Sequence, residues 1–240
     1  TDAAGDDIGF ALAGHAMQRR LLGRAATLLL NQAGDPVADR PYVEYNGLLA
    51  ASGMEGDATL AALAAIAGRN DWRVFRLAGV LPDSAMLALP GRRATRLDAS
   101  PVYQVDLAAV RNAGGDYLSL LSANTRGQIR RAMKDRGGAM PGIAAARDLE
   151  EIDAGLDEMM AVDAGRHADN AWDDPAFRTF VRGLLVRGLA TGEVELLRLT
   201  DAGGLVGLLV NFVYRGVAMN YQSAFAAPLS SKDKPGLLCH

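Results

Sequence analysis

Apolar and polar positions alternate most clearly in the last third of the chain, where they predict three consecutive strands. Residues 193–200 and 205–214 flank Asp201-Ala202-Gly203-Gly204, which has the composition of a tight turn. Arg215-Gly216 turns the chain again before a third stretch, residues 217–225. Strands joined by such short turns pair as an antiparallel meander.

The meander is followed by a polar loop, residues 230–236, and by a short apolar segment that is typical of a helix start. The first N–H groups of a helix have no partner within the helix, and Pro235 suits the first helical position. Gly236 lacks a side chain, so an anion can approach the backbone there, and Lys232 and Lys234 add positive charge. On these residues alone an ordinary loop with solvated lysines is favoured, and an anion site is the alternative.

The first half of the chain shows the same order of strand, glycine-containing loop, helix and strand. The pattern predicts strands over residues 25–31, 41–49 and 72–77, with two short strands within residues 94–106. A helix capped by Asp57 precedes the strand at 72–77, and its inward face is Leu60, Leu63 and Ile66.

Three helical patterns occupy the middle of the chain. The first is a helical pair from Asp116 onward, whose apolar stripe is Leu118, Leu121, Ile129 and Ala132, with a gap at Thr125. The second has Leu149, Ile152, Leu156 and Met159 on one face. The third begins at Asp174-Pro175 and turns Phe177, Phe180 or Val181, and Leu184 inward.

A basic stripe runs along another face of the first of these helices. Arg126, Arg130 and Lys134 recur at four-residue steps, with Arg131 beside them. Arginine side chains in such a row bind phosphate groups well, so the stripe is a candidate contact for a phosphorylated substrate. The alternative is a solvated helix face whose side-chain stems cover apolar surface.

Composition limits the classes of function. Of the 240 residues, half are hydrophobic and 22% are charged, which is typical of a globular protein. The net charge of −3 counts against nucleic acid as a general partner. The single cysteine, Cys239, and the lack of an apolar run of about 20 residues indicate a cytoplasmic protein with no membrane span. Three scattered histidines give no metal-ligand spacing, so no metal is expected.

Three phrases in the C-terminal third resemble a known family. Residues 211–216 (Asn-Phe-Val-Tyr-Arg-Gly), 220–223 (Asn-Tyr-Gln-Ser) and 234–240 (Lys-Pro-Gly-Leu-Leu-Cys-His) are similar to the core of the GNAT acyltransferases of the CelD/BcsL type, which are related in architecture to the FemABX peptidyltransferases. The usual GNAT fingerprint, Arg/Gln-x-x-Gly-x-Gly/Ala, is absent as such.

The resemblance implies an α/β fold made of tandem GNAT-like units, with mixed, largely antiparallel sheets flanked by helices. Residues 1–112 would form a degenerate first unit and residues 113–240 the acyltransferase unit. Relatives continue past the position of His240, so the second unit is expected to be incomplete.

The resemblance also implies acyl-CoA as co-substrate and an envelope or exopolysaccharide precursor as acceptor of an N- or O-linked acyl group. The expected cofactor contacts are Asn220, Gln222, Ser223, Lys232, Lys234, Pro235, Gly236 and Leu237. Tyr221 is the expected general acid and His167, by its titration range, the expected general base. The two-residue period of a strand predicts Tyr221 and Ser223 on one face, with Asn220 and Gln222 on the other. Expected substrate contacts are Arg126, Arg130, Arg131, Glu44 and Asn46.

Two other readings stay open at this point. A FemX-like enzyme would take an aminoacyl group from tRNA through the arginines of the basic stripe, and its RNA binding would weaken steeply with salt. A non-catalytic scaffold in polysaccharide assembly would keep the fold without binding acyl-CoA. A homo-oligomer is also possible, because an incomplete sheet needs its edge covered.

Overall fold

The computed structural model describes residues 1, 5–166 and 168–240. The chain divides into two compact units, Thr1–Val102 and Tyr103–His240, and each is taken by itself below. The interpretation of residues 1–112 and 113–240 as two GNAT-like units stays a prediction.

The first unit is built around a β-hairpin. Its elements are β1 (Gly9–Phe10), β2 (Ala13–Arg19), β3 (Arg24–Leu30), β4 (Leu49–Ala50), α1 (Glu55–Ala67) and β5 (Val74–Arg76). β2 and β3 pair antiparallel along their full lengths, β5 joins the other edge of β3 in parallel, and β1 pairs with β4. β3 therefore lies at the centre of its sheet, which explains why its second half is buried.

The predicted strands at residues 25–31 and 72–77 are confirmed, and so is a helix between them. The helix begins at Glu55, so Asp57 lies inside it and does not cap it, and Leu60 is exposed and not inward as predicted, whereas Leu63 is buried. The core that these elements form consists of Leu28, Leu30, Leu63, Trp72, Met86 and Leu89. β2 escaped the sequence analysis because its side chains only alternate between exposed and half-buried. A strand at the edge of a sheet leaves a weak hydrophobic signal.

Two strand predictions in this unit are wrong. Residues 41–48 form no strand, because Tyr45 adopts a positive φ of 53° and Asn46 fastens the segment through its side chain. The Asn46 amide donates to the carbonyls of Leu30 and Ala78, so side-chain bonds replace a strand ladder. Residues 94–106 also form no strand, since they are exposed throughout and have no sheet face to cover.

The second unit is a four-stranded antiparallel sheet with helices on both faces. Its elements are α2 (Leu107–Asn112), α3 (Ala123–Asp135), β6 (Gly142–Ala145), α4 (Leu149–Asp163), α5 (Pro175–Thr191), β7 (Val194–Asp201), β8 (Gly204–Tyr214), β9 (Val217–Phe225) and α6 (Pro235–Cys239). The strand order is β6-β7-β8-β9. The predicted meander is confirmed as β7, β8 and β9, and β6 adds a strand that the sequence analysis missed.

The longer helices of this unit begin where a side chain caps the first turn. Ser122, Asp148 and Asp174 accept hydrogen bonds from the backbone N–H groups of residues 125, 151 and 176. Such caps satisfy donors that have no partner inside the helix. The caps fix the starts of α4 and α5 close to the predicted positions. The helical pair predicted from Asp116 consists of a short 3-10 helix, Tyr117–Leu120, followed by α3, whose start was not predicted.

Each face of this sheet packs against its own pair of helices. On the α4–α5 face, α4 and α5 cover the sheet, and the largest buried side chains are Ile152, Met159, Phe177, Val181, Leu185, Leu208 and Val210. On the α3–α6 face, α3 and α6 cover a smaller cluster of Ile129, Ala132, Leu199, Val206, Leu209, Leu238 and Cys239. The α/β class with antiparallel sheets flanked by helices is thereby confirmed. Across the described helices, none has the length and apolarity needed to cross a bilayer.

Candidate functional site

The loop between β9 and α6 is held by a buried ion pair. The Arg136 guanidinium donates to both carboxylate oxygens of Asp233, from Nε at 3.0 Å and from Nη2 at 2.7 Å. Its Nη1 donates to Asp201 at the end of β7, also at 3.0 Å. The guanidinium therefore joins the end of α3 to the sheet and to the loop, and we call this Arg136–Asp201–Asp233 arrangement the clamp.

Burial alone would raise the pKa of Asp233, because a carboxylate is poorly solvated inside the protein. The hydrogen bonds from Arg136 and from the backbone N–H groups of Leu229 and Lys234 outweigh that effect and lower the pKa below its ordinary value. The pKa of Arg136 is raised in turn, chiefly by its hydrogen bond to Asp233. The clamp is thus charged at neutral pH.

Ser230 closes the same loop from within. Its hydroxyl oxygen accepts from the backbone N–H groups of Lys232 at 3.1 Å and Asp233 at 3.2 Å, and its O–H donates to Asp135 at 2.8 Å. Asp135 is the last residue of α3, next to Arg136. The loop is therefore attached to the end of α3 at two points.

A cavity of about 450 Å³ lies beside this loop on the α3–α6 face. Its wall is formed by Tyr117, Thr125, Ile129, Pro228, Asp233, Lys234, Pro235, Gly236, Leu237 and His240. Lys234, Pro235, Gly236 and Leu237 were expected cofactor contacts, and the fold brings these four together. Lys232 is exposed and does not line the cavity.

Helix α6 is seated closely on β8 at Gly207. A Cβ at this position would lie 2.8 Å from the Cys239 sulfur and 2.9 Å from the carbonyl oxygen of Ala224, so a larger residue would displace the helix. Burial raises the pKa of the Cys239 thiol to about 11. That thiol is protonated at neutral pH and fills a core position rather than serving as a nucleophile.

A β-bulge in β9 overturns the predicted distribution of side chains on that strand. Val210 pairs with Gln222 but the next residue of β8, Asn211, pairs with Asn220, so Tyr221 is an extra residue without a partner in the ladder. Tyr221 packs on the α4–α5 face, where its ring lies 5.0 Å from that of Phe212. An extra residue resets the two-residue period, which the sequence pattern alone does not reveal.

Asn220 and Ser223 share a face as a consequence, and the prediction that Tyr221 shares it with Ser223 is wrong. The Ser223 hydroxyl donates to the Asn220 side chain at 3.0 Å, and the Asn220 amide donates to Asn211 at 3.1 Å. Ser223 pairs with Leu209, which belongs to the cluster under α3 and α6. Asn220 and Ser223 thus lie on the same face of the sheet as the cavity, whereas Gln222 pairs with Val210 of the opposite core.

The Tyr221 hydroxyl is buried and has no hydrogen-bond partner in the described part of the chain. Burial raises its pKa to about 12, because the phenolate would be poorly solvated. The group is therefore protonated across the physiological range. In that state it can donate a hydrogen bond but cannot act as a base.

The expected substrate contacts are dispersed. Arg126 donates to the carbonyl of Leu118 at 3.3 Å, while Arg130 and Arg131 are exposed, and none of the three arginines lines the cavity. Glu44 is exposed in the first unit. Asn46 is buried there, and its amide is used in bonds that hold the fold together. His167 lies outside the described residues.

The sequence analysis missed the residues that shape the loop. Asp233 was included only as one of several polar residues of the loop, and Arg136 was not singled out. A partial signal existed, since Arg136 precedes Gly137 at the end of a helix and Asp233 lies two residues before Pro235 at the start of another. Their pairing across 97 residues of sequence, however, is a tertiary event.

Residues 123–240 match the family model of the acetyltransferase (GNAT) domain. The match begins at α3 and runs through the loop and cavity, and it covers just under half of the chain. It supports an acyltransferase in general. No curated protein matches the chain. Within the described residues, no group of three or more histidine, cysteine, aspartate or glutamate side chains is arranged to hold a metal ion.

Proposed function

We propose that this chain is an acyl-CoA-dependent N- or O-acyltransferase, with the cofactor held at the cavity beside the β9–α6 loop. The observation that carries the proposal is the cavity of about 450 Å³, which is lined by Lys234, Pro235 and Gly236 within the region that matches the GNAT domain. A thioester bound there would supply an activated acyl group for transfer to an amine or hydroxyl.

The residues beside the cavity suit a pyrophosphate in three respects. Lys234 carries a positive charge, and Gly236 leaves the backbone accessible, since the three atoms nearest to a Cβ there would be ring carbons of Phe225, the nearest at 3.4 Å. The clamp holds the loop in one conformation before any ligand arrives, which lowers the entropic cost of binding. Lys232 would attract the anion from solvent rather than contact it in the cavity.

Asn220 and Ser223 are the strand residues that we assign to the thioester or pantetheine side of the site, because they share the face of the cavity. Gln222 points to the opposite core by its pairing, so its expected contact rests on the resemblance alone. Tyr221 packs on the α4–α5 face, opposite the cavity, so its role as proton donor to the departing thiolate stays an expectation. Replacement of Tyr221 by Phe tests that role, because a lower kcat with little change in KM would support it.

Calorimetric titration of the chain with CoA and acetyl-CoA tests the cofactor assignment. Lys234→Ala and Gly236→Val should weaken binding, by roughly tenfold or more where a charge-assisted contact is lost. Arg187→Ala is the matched control, because Arg187 is an exposed cation on α5, which packs on the opposite face of the sheet. No binding, or equal weakening by the control, would reject the assignment.

We propose an envelope or exopolysaccharide precursor as the acceptor class, on the strength of the CelD/BcsL resemblance. Acyl transfer to amino sugars and to polysaccharide fragments, followed by mass spectrometry of the products, tests this choice. Arg126, Glu44, Asn46 and His167 remain expectations for the acceptor side. If acyl-CoA binds but no saccharide is modified, the acceptor class is wrong while the cofactor assignment stands.

One observation favours a second candidate, the transfer of an aminoacyl group from tRNA. Arg130, Arg131 and Lys134 form an exposed basic surface on α3, next to the helix positions that line the cavity. Binding of aminoacyl-tRNA that falls steeply with salt and is lost in Arg130→Gln/Arg131→Gln would support this reading. If neither acyl-CoA nor aminoacyl-tRNA binds, the non-catalytic scaffold is left.

A further inference from the structure

The turn that joins β2 to β3 carries two leucines in full contact with solvent. Leu21 is fully exposed and Leu22 is 93% exposed, in a hairpin tip formed by residues 20–23. Turns of this kind usually carry glycine, asparagine or aspartate. Here Gly23, at a φ of 81°, supplies the only positive φ in the tip, so the backbone does not require the leucines.

The hairpin is anchored at its base and not at its tip. The last pair of the ladder is Arg19 with Arg24, and the backbone N–H of Arg20 donates to the Gly23 carbonyl at 2.9 Å. Burial falls along β3 from Leu30 toward Arg24, which is exposed. The tip therefore projects from the core on two paired strands, and the leucines do not help to fold the unit.

Positive charge surrounds the two leucines. Arg19, Arg20 and Arg24 flank them, and the sequence from residue 8 to residue 34 contains no aspartate or glutamate. The Arg24 guanidinium donates to the carbonyl of Met17, which keeps its charge close to the turn. We call Arg19, Arg20 and Arg24 the basic collar. The chain as a whole has a net negative charge, so this positive charge is a local feature.

We infer that the hairpin tip binds the surface of an anionic lipid bilayer, with Leu21 and Leu22 inserted among the acyl chains and the arginines against the lipid phosphates. Apolar side chains gain from leaving water, and each basic residue near an anionic membrane surface adds to the attraction. Acidic lipids complement the collar. This inference does not depend on the proposed acyl transfer.

A bilayer suits the tip better than a macromolecule does. Nucleic acid would use the arginines but would leave two exposed leucines without a role. A stable protein interface buries about 1,600 Å² in total, far more than a turn with two leucines provides. A bilayer needs no matching pocket and accepts a small apolar projection with a basic collar.

Co-sedimentation with vesicles tests the inference on the whole chain. The chain should sediment with vesicles of phosphatidylcholine and phosphatidylglycerol and remain largely free with phosphatidylcholine alone or at high salt. Leu21→Ser/Leu22→Ser should lower partitioning by roughly tenfold or more, because two apolar side chains are lost. Arg19→Gln/Arg20→Gln should also lower it, by roughly tenfold, and reduce the preference for anionic vesicles.

Leu60→Ser is the matched control, since Leu60 is 67% exposed on α1 of the same unit and carries no basic collar. It should sediment like the unchanged chain. A Leu22→Trp variant gives a second readout, because its indole emission should shift to shorter wavelength only when anionic vesicles are added. Absence of binding, equal loss in Leu60→Ser, or tip-dependent binding to RNA or a protein in place of vesicles would overturn the inference.

Discussion

Two surface turns of this protein reverse the usual preferences of their residues. The β9–α6 loop is polar in sequence, yet Asp233 is buried in the clamp with Arg136. The hairpin tip between β2 and β3 contains two leucines, and both are exposed. In the β9–α6 loop the carboxylate of Asp233 is buried because the guanidinium of Arg136 pairs with it. In the hairpin tip Leu21 and Leu22 are exposed because no apolar surface lies close enough to cover them. The difference shows that the neighbours of a turn, more than its own polarity, decide its environment.

Breaking the clamp should have the largest effect. Asp233→Asn or Arg136→Met leaves a buried charge without its main partner, and we expect a loss of about 3–5 kcal/mol in the free energy of unfolding. Urea denaturation followed by circular dichroism measures this loss. Asp153→Asn is the control, because the ion pair of Asp153 with Arg182 is exposed, and it should change stability little. If Asp233→Asn and Asp153→Asn lowered the free energy of unfolding equally, the clamp would not have the stabilising role described.

The seat of α6 on the sheet should be the next most sensitive feature. Gly207→Ala places a methyl group 2.8 Å from the Cys239 sulfur, so we expect a destabilisation of about 1–3 kcal/mol from overpacking. Gly183→Ala serves as a comparison, since a Cβ at that helix position meets no atom within 4 Å. Thermal unfolding of both variants gives the answer, and a neutral Gly207→Ala would mean that α6 packs more loosely than described.

Acid should weaken the clamp in a defined direction. The folded-state pKa of Asp233 is lowered, so its contribution is fully present above the unfolded value of about 3.9 and is lost as pH falls through the lower folded value. The urea midpoint of the unchanged chain should therefore fall below about pH 4. Asp233→Asn should show a smaller fall over the same range, and an identical pH profile would count against this account.

The hairpin tip should give the smallest effect on stability. Leu21→Ser/Leu22→Ser removes no contact of the folded core, so the free energy of unfolding should stay within about 0.5 kcal/mol of the unchanged chain. Chemical denaturation of the same preparation used for vesicle binding measures it. A large destabilisation would show that the leucines pack on the fold, and the contrast between the two turns would then disappear.

The elements were predictable where local patterns are strong. The meander of β7, β8 and β9 and the starts of α4 and α5 follow from alternation, turn residues and caps that lie within a few positions of one another. The predicted strand at residues 41–49 failed because Asn46 bonds to Leu30 and Ala78, which are 16 and 32 residues away. Propensity does not encode such partners.

Some residues of the candidate site were also predictable from local sequence, and others were not. Lys234, Pro235, Gly236 and Leu237 were recognisable as a group, because they are consecutive and resemble a family motif. The distribution of Asn220, Tyr221 and Ser223 was not, since a single bulged residue reverses the face of a strand. The arginines of α3 were visible as a stripe, but the side of the helix that lines the cavity is that of Thr125 and Ile129.

The sequence by itself determined the α/β class, the meander, the starts of α4 and α5, and the composition of both turns, because these depend on residues close together in the chain. Only the tertiary structure decided that the β9–α6 loop is fixed by a buried ion pair and that the β2–β3 hairpin tip is exposed. Arg136 reaches Asp201 and Asp233 because α3 packs across the sheet, and a charge is stable in the interior only when such a partner arrives. Leu21 and Leu22 remain outside because their strands end beyond the edge of the core.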